Sequence, residues 1–235
     1  FDDLFEYGGS VVHQRFLDDA ERLQCDVYNY MTAEPGALKG APITVRENRA
    51  IYARTAFVLN SEHSNWGSEN RFIQSLRPVE FIRDLVDSVR NPNDVSAHVR
   101  MEGGKQYEHL PYESADNWTR EDHEAIANWR EKSHFAHFMA RLDALIAEGN
   151  ADRVFIAADL PETYQEFISR YGDRVAYLPR SAYDRSAEQL RYAMADAILL
   201  SRAPLMLGST WSSFSELAIR LAPGGLKVEM SGKEF

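Results

Sequence analysis

The chain has 235 residues, 44% of them hydrophobic, enough to bury a sizeable core as one large domain or two small ones. Its formal charge is −10, from 26 basic and 36 acidic side chains. That balance argues against a nucleic-acid-binding surface and requires a local cluster of cations for any anionic ligand. Cys25 is the one cysteine, which excludes an internal disulfide and a thiolate metal cage and fits a reducing compartment.

No apolar run is long enough to span a bilayer and no signal peptide is visible, so a cytoplasmic location is expected. The chain starts without methionine, in Phe1-Asp2-Asp3-Leu4-Phe5-Glu6, which has the look of a fragment. A targeting segment lost with the N-terminus would place the protein in the secretory-pathway lumen instead.

The first ninety residues are weakly patterned. A short helical stretch runs from Arg15 to Leu23, a Pro/Gly-punctuated segment from Thr32 to Pro42, and a strand-like run from Ala50 to Leu59. Helical spacing follows over Asn70 to Leu76 and Val79 to Val89, and Asn91-Pro92-Asn93-Asp94 reads as a turn. The pattern then changes character. Strands are expected over Val95–Met101, Val154–Ala158, Arg174–Leu178, Leu205–Leu207 and Leu226–Glu229. Helices are expected over Arg120–Glu148 (one long or broken), Pro161–Tyr171, Ala187–Ser201 and Ser213–Leu221. Strands alternating with helices imply right-handed crossovers and a parallel sheet, so the fold class is α/β, a Rossmann-like parallel sheet with flanking helices. Ligands bind at the carboxyl ends of such strands, where three unusual segments fall, after Met101, Ala158 and Leu207.

In the segment after Leu207, an apolar run breaks at Gly208, passes through Ser209-Thr210-Trp211-Ser212-Ser213, and resumes at helical spacing. Unpaired N–H groups and the dipole at a helix N-terminus stabilise an anion, so Ser212 and Ser213 read as anion donors. Taken alone, this segment reads first as an ordinary cap, since Glu216 three positions after Ser213 makes a capping box.

On the first expected strand, His98 and Arg100 share one face because side chains alternate with period two. Arg100 stays charged on a nearly apolar strand and needs an anion, either a ligand phosphate or the carboxylate of Asp159. In the helix from Ala187, a core stripe of Leu190, Ala193, Met194, Ala197 and Ile198 leaves Tyr192 and Asp196 on another face. There Asp196 meets either a ligand or solvent.

Four blocks occur in order: His98-Val99-Arg100; Phe155-Ile156-Ala157-Ala158-Asp159; Asp196-Ala197-Ile198-Leu199-Leu200-Ser201; and Gly208-Ser209-Thr210-Trp211-Ser212-Ser213-Phe214-Ser215. Together they resemble the donor domain of GDP-fucose-dependent fucosyltransferases, the superfamily of α1,6-fucosyltransferases, nodulation fucosyltransferases and protein O-fucosyltransferases. Phe1-Asp2-Asp3-Leu4-Phe5 also resembles a segment of that superfamily. The resemblance covers about residues 94–222. It implies a two-Rossmann, glycosyltransferase B type fold, with residues 92–235 as the nucleotide-sugar donor domain and 1–91 as a partial N-terminal, acceptor-side region.

The same resemblance implies that Arg100 contacts the donor β-phosphate and that His98 lies against the nucleotide. Asp196 would bind the guanine edge, Ser212 and Ser213 the diphosphate, and Asp159 would shape the site. Many α1,6 members carry a second arginine directly after the first, where this chain has Met101. Glu108, ten residues after His98, is the candidate general base, with Glu102 as its rival. The implied reaction moves a sugar from a GDP-sugar to a hydroxyl of a glycan or protein acceptor, with inversion and without a metal or other cofactor. Arg100, Ser212 and Ser213 would neutralise the leaving diphosphate.

Other constellations point elsewhere only weakly. His134 and His137 are three apart on an expected helix without a third metal ligand beside them. Asn117-Trp118-Thr119 is a glycosylation sequon of consequence only in a secreted chain. Trp118 and Trp129 read as core or as sugar-stacking rings. Gly-x-Gly-x-x-Gly and P-loop fingerprints are absent, and Gly208 to Ser212 lacks the spacing of a hydrolase nucleophile elbow. A non-catalytic nucleotide- or glycan-binding module is the competing expectation.

Overall fold

The structure, a computed structural model, describes residues 2–9, 18–30, 40–55, 59–102, 120–183 and 186–235. In chain order the elements are β1 (Phe5–Glu6), α1 (Asp19–Arg22), β2 (Cys25–Asn29), β3 (Ala50–Arg54), α2 (Trp66–Ser75), β4 (Arg77–Pro78), α3 (Glu80–Asp87), β5 (Val95–Val99) and α4 (Arg120–Lys132). They continue as α5 (Phe135–Ala147), β6 (Val154–Ala158), α6 (Pro161–Tyr171), β7 (Val175–Ala176), α7 (Ala187–Leu200), β8 (Leu205–Gly208), α8 (Ser213–Leu221) and β9 (Lys227–Met230). The chain divides into two compact units, one of residues 1–9, 70–103 and 124–235, the other of residues 10–69 and 104–123.

In the second unit, β2 and β3 pair in parallel from Cys25 opposite Ala50 to Asn29 opposite Arg54. The short helix α1 opens with a reciprocal cap, in which Asp18 accepts the Glu21 N–H at 2.8 Å and Glu21 accepts the Asp18 N–H at 3.1 Å. Strand β2 is not expected from its sequence, because Asp26 and Asn29 interrupt the apolar alternation.

The first unit is built on a five-stranded sheet in the order β7-β6-β5-β8-β9, with every neighbouring pair parallel. Its two faces bury two clusters. Phe155, Ala157 and Met206 face Ile82 and Val86 of α3, Met194, Ala195 and Leu199 of α7, and Ala218 of α8. Val95, Ala97, Val99, Val154, Ile156 and Leu207 face Phe138, Leu142 and Leu145 of α5 and Tyr164 and Phe167 of α6. Burial on both faces explains why these strands read as apolar runs and not as an alternation. Helix α3 and the segment 1–9 thus pack with the sheet, N-terminal to the change of pattern near residue 92.

The expected helices over 161–171 and 213–221 form with those bounds. The expected helix over 120–148 is two helices. Between them Ser133 is buried with its Oγ 2.7 Å from that of Ser231, and the His134 Nδ1 accepts the Ala136 N–H at 3.2 Å to cap α5. His134 therefore serves a helix terminus and does not share a helical face with His137. Of the stripe expected for α7, Met194 and Ala197 are buried and Ile198 packs against the core, but Leu190 is half exposed. Burial extends further round the helix than expected, to Ala195, Asp196 and Leu199, so that Asp196 is turned inward.

Candidate functional site

Strands β5, β6 and β7 follow one another outward on one side of the sheet, and the chain then crosses to β8 and β9 on the other side. Between β5 and β8 the connections run in opposite directions, the switch point at which a crevice opens in such sheets. A cavity of about 440 Å³ lies there, lined among others by His98, Arg100, Glu102, Arg130, Asp159, Arg180, Gln189, Asp196, Trp211, Ser212 and Ser213. Seven of the eight residues singled out from sequence line it. The eighth, Glu108, lies outside the described residues, as do Trp118 and the sequon at Asn117.

Strand β5 ends at Val99, two residues short of its expected end, because Ser209 takes over the pairing. The Ser209 hydroxyl donates to the His98 carbonyl at 2.8 Å and accepts the Arg100 N–H at 2.9 Å. Arg100 turns to Asp159, with Nη1 2.9 Å from Oδ2. The same carboxylate accepts the N–H groups of Met101 at 3.1 Å and Glu102 at 2.7 Å. The Arg100–Asp159 pair expected from the strand is therefore present, and the guanidinium still lines the cavity. Asp159 shapes the turn after β5 as much as it balances the arginine. Glu102 stands 3.8 Å from Arg100, its side chain two-thirds exposed. Met101 faces away, its sulfur accepting the Phe135 N–H at 3.4 Å.

His98 is buried beside Phe214, ring centroids 4.8 Å apart, with Nδ1 2.7 Å from the Ser215 Oγ. Ser215 donates its single hydroxyl proton to the Ser209 carbonyl at 3.1 Å. The imidazole must therefore donate from Nδ1, which leaves Nε2 as an acceptor. Burial, reinforced by the charges of Arg100 and Arg130, holds its pKa down to about 3, so it is neutral at physiological pH.

The turn into α8 holds Trp211 at φ 59°, a left-handed conformation that a bulky residue seldom adopts. It is fixed by Thr210, whose N–H reaches the Ser231 Oγ at 3.2 Å and whose hydroxyl donates to the Ser231 carbonyl at 2.7 Å. A Cβ on Gly208 would come 2.7 Å from the Met230 sulfur, so any larger residue there would displace that side chain. Ser212 is the N-cap of α8 but makes no side-chain cap bond. The capping box expected as the alternative for these serines is absent, and both border the cavity.

Asp196 is buried and not solvated. Its Oδ2 lies 2.5 Å from an Arg180 nitrogen, while Oδ1 has no hydrogen-bond partner among the described residues. Burial pushes its pKa up to about 6, against the pull of Arg180. Gln189 Oε1 and the Nε and Nη1 of Arg130 are also buried without partners among the described residues. Arg130, Arg180, Gln189 and Trp211 are cavity residues that the sequence reading did not single out. For Arg180 a signal existed, since it follows Leu178-Pro179 at the carboxyl end of an expected strand. Arg130 had none. Trp129, its neighbour, carries the Lys132 ammonium 4.4 Å from its ring centroid.

The neutral imidazole links the site to stability. The unfolded chain protonates His98 near 6.5 and the folded chain near 3, so between those values the unfolded state binds more protons. Stability then falls as pH falls, by at most about 1.4 kcal/mol per unit. Asp196, with its folded pKa above its unfolded value of 3.8, works oppositely between about pH 4 and 6 and offsets part of the loss. His98→Asn, which keeps a donor toward Ser215, should flatten the acid limb in urea unfolding from pH 7 to 3.5. Superimposable profiles would mean that the imidazole is not held neutral by the fold.

No family model matches the chain, and no curated protein matches it. Among solved structures it is similar to POFUT1 in complex with GDP-fucose, at 15% identity and TM-score 0.45 over 80% of this chain and 55% of that one. It is similar to the NodZ alpha-1,6-fucosyltransferase soaked with GDP-fucose at 16% identity and TM-score 0.45, over 73% and 55%. A NodZ structure from Bradyrhizobium matches at 15% identity and TM-score 0.45, over 76% and 55%. The chain spans about half the length of the structures it matches.

Proposed function

We propose that the chain carries the donor-binding half of a GDP-sugar-dependent glycosyltransferase of the fucosyltransferase type. The observation that carries this reading is the character of the unpartnered atoms in one cavity, donors on Arg130 and acceptors on Asp196 and Gln189. Buried polar atoms are normally satisfied, and leaving each one bare costs about 1–3 kcal/mol. A ligand that is anionic at one end and rich in N–H donors at the other would satisfy all of them. A guanine nucleotide has that character, with phosphates for Arg100 and the α8 N-terminus and the adjacent N1–H and N2–H groups of guanine for Asp196.

In the proposed reaction an acceptor hydroxyl attacks the anomeric carbon as its bond to the β-phosphate oxygen breaks, with inversion. Charge grows on the departing diphosphate, and Arg100 with the first turn of α8 is placed to stabilise it. His98, neutral and fixed in one tautomer, offers Nε2 as an acceptor to a donor hydroxyl without adding charge. Glu108 takes the acceptor proton, and Glu102 is its rival. The leaving group is neutralised by these side chains, so no metal is required. The nearest rival chemistry is a hydrolase built on the Ser215–His98 pair. It fails because Ser215 is fully buried and its proton is directed to Ser209, away from the cavity.

Incubation with GDP-sugars and candidate acceptors tests the enzyme reading. GDP-fucose should be consumed only when acceptor is present, with EDTA without effect, and Glu108→Gln should lower turnover at unchanged GDP affinity. Loss on Glu102→Gln alone would move the base to Glu102. GDP binding with no consumption of any GDP-sugar would leave a binding module.

Arg100→Lys should weaken GDP by about 1–3 kcal/mol, since an ammonium keeps the charge but loses the planar fork. Calorimetry showing unchanged affinity would assign Arg100 wholly to Asp159.

Asp196 accepts guanine N–H groups only as a carboxylate. With its pKa near 6, guanosine, which carries no titrating phosphate, should bind more weakly as pH falls through that value, approaching tenfold per unit. Asp196→Asn should bind weakly at every pH. A pH-independent guanosine affinity in the unmodified chain would remove Asp196 from the base site.

A further inference from the structure

Arg130, near the end of α4, faces the cavity that holds Arg100 and Asp159. Its Nε and Nη1 are buried and have no hydrogen-bond partner among the described residues. The carboxylate beside it is already engaged, because Asp159 binds Arg100 and the N–H groups of Met101 and Glu102. Glu102 lies 3.8 Å from Arg100 and is mostly exposed. Burial and the charge of Arg100 together hold the Arg130 pKa down, to about 10. A guanidinium placed next to another, with its Nε and Nη1 buried and unpaired among the described residues, is costly, and an anion entering from the cavity would offset that cost.

A second feature converges on the same space. Helix α8 runs nine residues from Ser213, and Ser212 at its cap makes no side-chain bond to the first turn, so the N-terminal N–H groups on the cavity rim keep their capacity for an external acceptor. The other residue at the end of β5 adds no cation, since Met101 directs its sulfur to Phe135 and Thr163.

We infer that Arg130 is a second phosphate-binding guanidinium, which with Arg100 and the α8 terminus holds the diphosphate of the nucleotide ligand and carries part of its charge as it leaves. The inference rests on the nucleotide-donor reading above and adds a residue to it. Two guanidiniums from different elements, one on the sheet and one on a helix, grip a diphosphate from two directions, which a single strand end does not do.

Calorimetry on the whole chain with GDP, guanosine and inorganic pyrophosphate separates the two ideas. Arg130→Met should weaken GDP and pyrophosphate ten- to a hundredfold and leave guanosine within twofold. The unliganded melting temperature should hold or rise, because an unpaired buried charge has been removed. Arg130→Lys should fall between, and it serves as the readout if the methionine variant does not fold. Equal losses for GDP and guanosine, or no loss in either variant, would overturn the assignment of Arg130 while leaving the nucleotide reading intact. Pyrophosphate binding that depends on Arg130 in a chain that binds no nucleoside would uphold Arg130 and overturn the guanine reading.

Discussion

The geometry of the cavity depends on the Ser209 hydroxyl. Strand β5 pairs with β8 only as far as Ala97 opposite Leu207, and beyond that register the two strands part to open the crevice. Their backbone groups still need partners, since a buried unpaired N–H or C=O is costly. Ser209 supplies both with one side chain, donating to the His98 carbonyl and accepting the Arg100 N–H. The strands separate while the residues on the crevice floor stay anchored. The Ser209 carbonyl in turn accepts the Ser215 hydroxyl, which fixes the tautomer of His98. One residue thus sets where Arg100 leaves the sheet and which nitrogen of His98 remains an acceptor.

Around that anchor the electrostatics run against the rest of the molecule. The chain as a whole carries −10, yet the charges lining the cavity balance, Arg100, Arg130 and Arg180 against Glu102, Asp159 and Asp196, and the carboxylate beside Arg100, Asp159, is shared with two backbone N–H groups. Arg100 and Arg130 set close together beside a carboxylate already engaged are unfavourable for folding and favourable for capturing an anion. The left-handed Trp211 at the mouth of α8 fits the same pattern, since unfavourable backbone conformations persist where the surrounding structure over-determines them. Here the over-determination comes from the Thr210–Ser231 bonds on one side and helix α8 on the other.

Much of this was legible in the sequence. The sheet strands read as apolar runs, the helices 161–171 and 213–221 carried clean periodicity with Pro161 and Ser213 at their starts, and strict alternation put His98 and Arg100 on one face. Illegible were the features set by contacts distant in sequence. Asp196 reads as a surface residue because its partner, Arg180, is sixteen positions earlier on a loop, and burial of an ion pair leaves no periodic trace. Arg130 reads as one of many charges on a polar helix, and only the break at Ser133, which is tied to Ser231 almost a hundred residues later, decides where that helix ends. Strand β2 escaped because Asp26 and Asn29, two of its five side chains, are polar.

The two clusters in the cavity have opposite unmet needs, and that opposition limits the ligand more than either does by itself. A simple phosphate would satisfy the guanidiniums and the α8 terminus but leave Asp196 Oδ1 and Gln189 Oε1 bare, with their desolvation uncompensated. A neutral nucleoside would satisfy the acceptors and leave Arg130 unpaired. Because each omission costs on the order of 1–3 kcal/mol, a ligand that joins both chemistries gains over either half by a factor of about five to more than a hundred at each end. Neutral His98 lies in the same cavity, where a protonated imidazole would add to the repulsion between Arg100 and Arg130 and a neutral one does not. Burial and the two guanidiniums together keep that histidine neutral, and the Ser215 hydroxyl orients it, so the imidazole lines the cavity without adding a charge to either cluster.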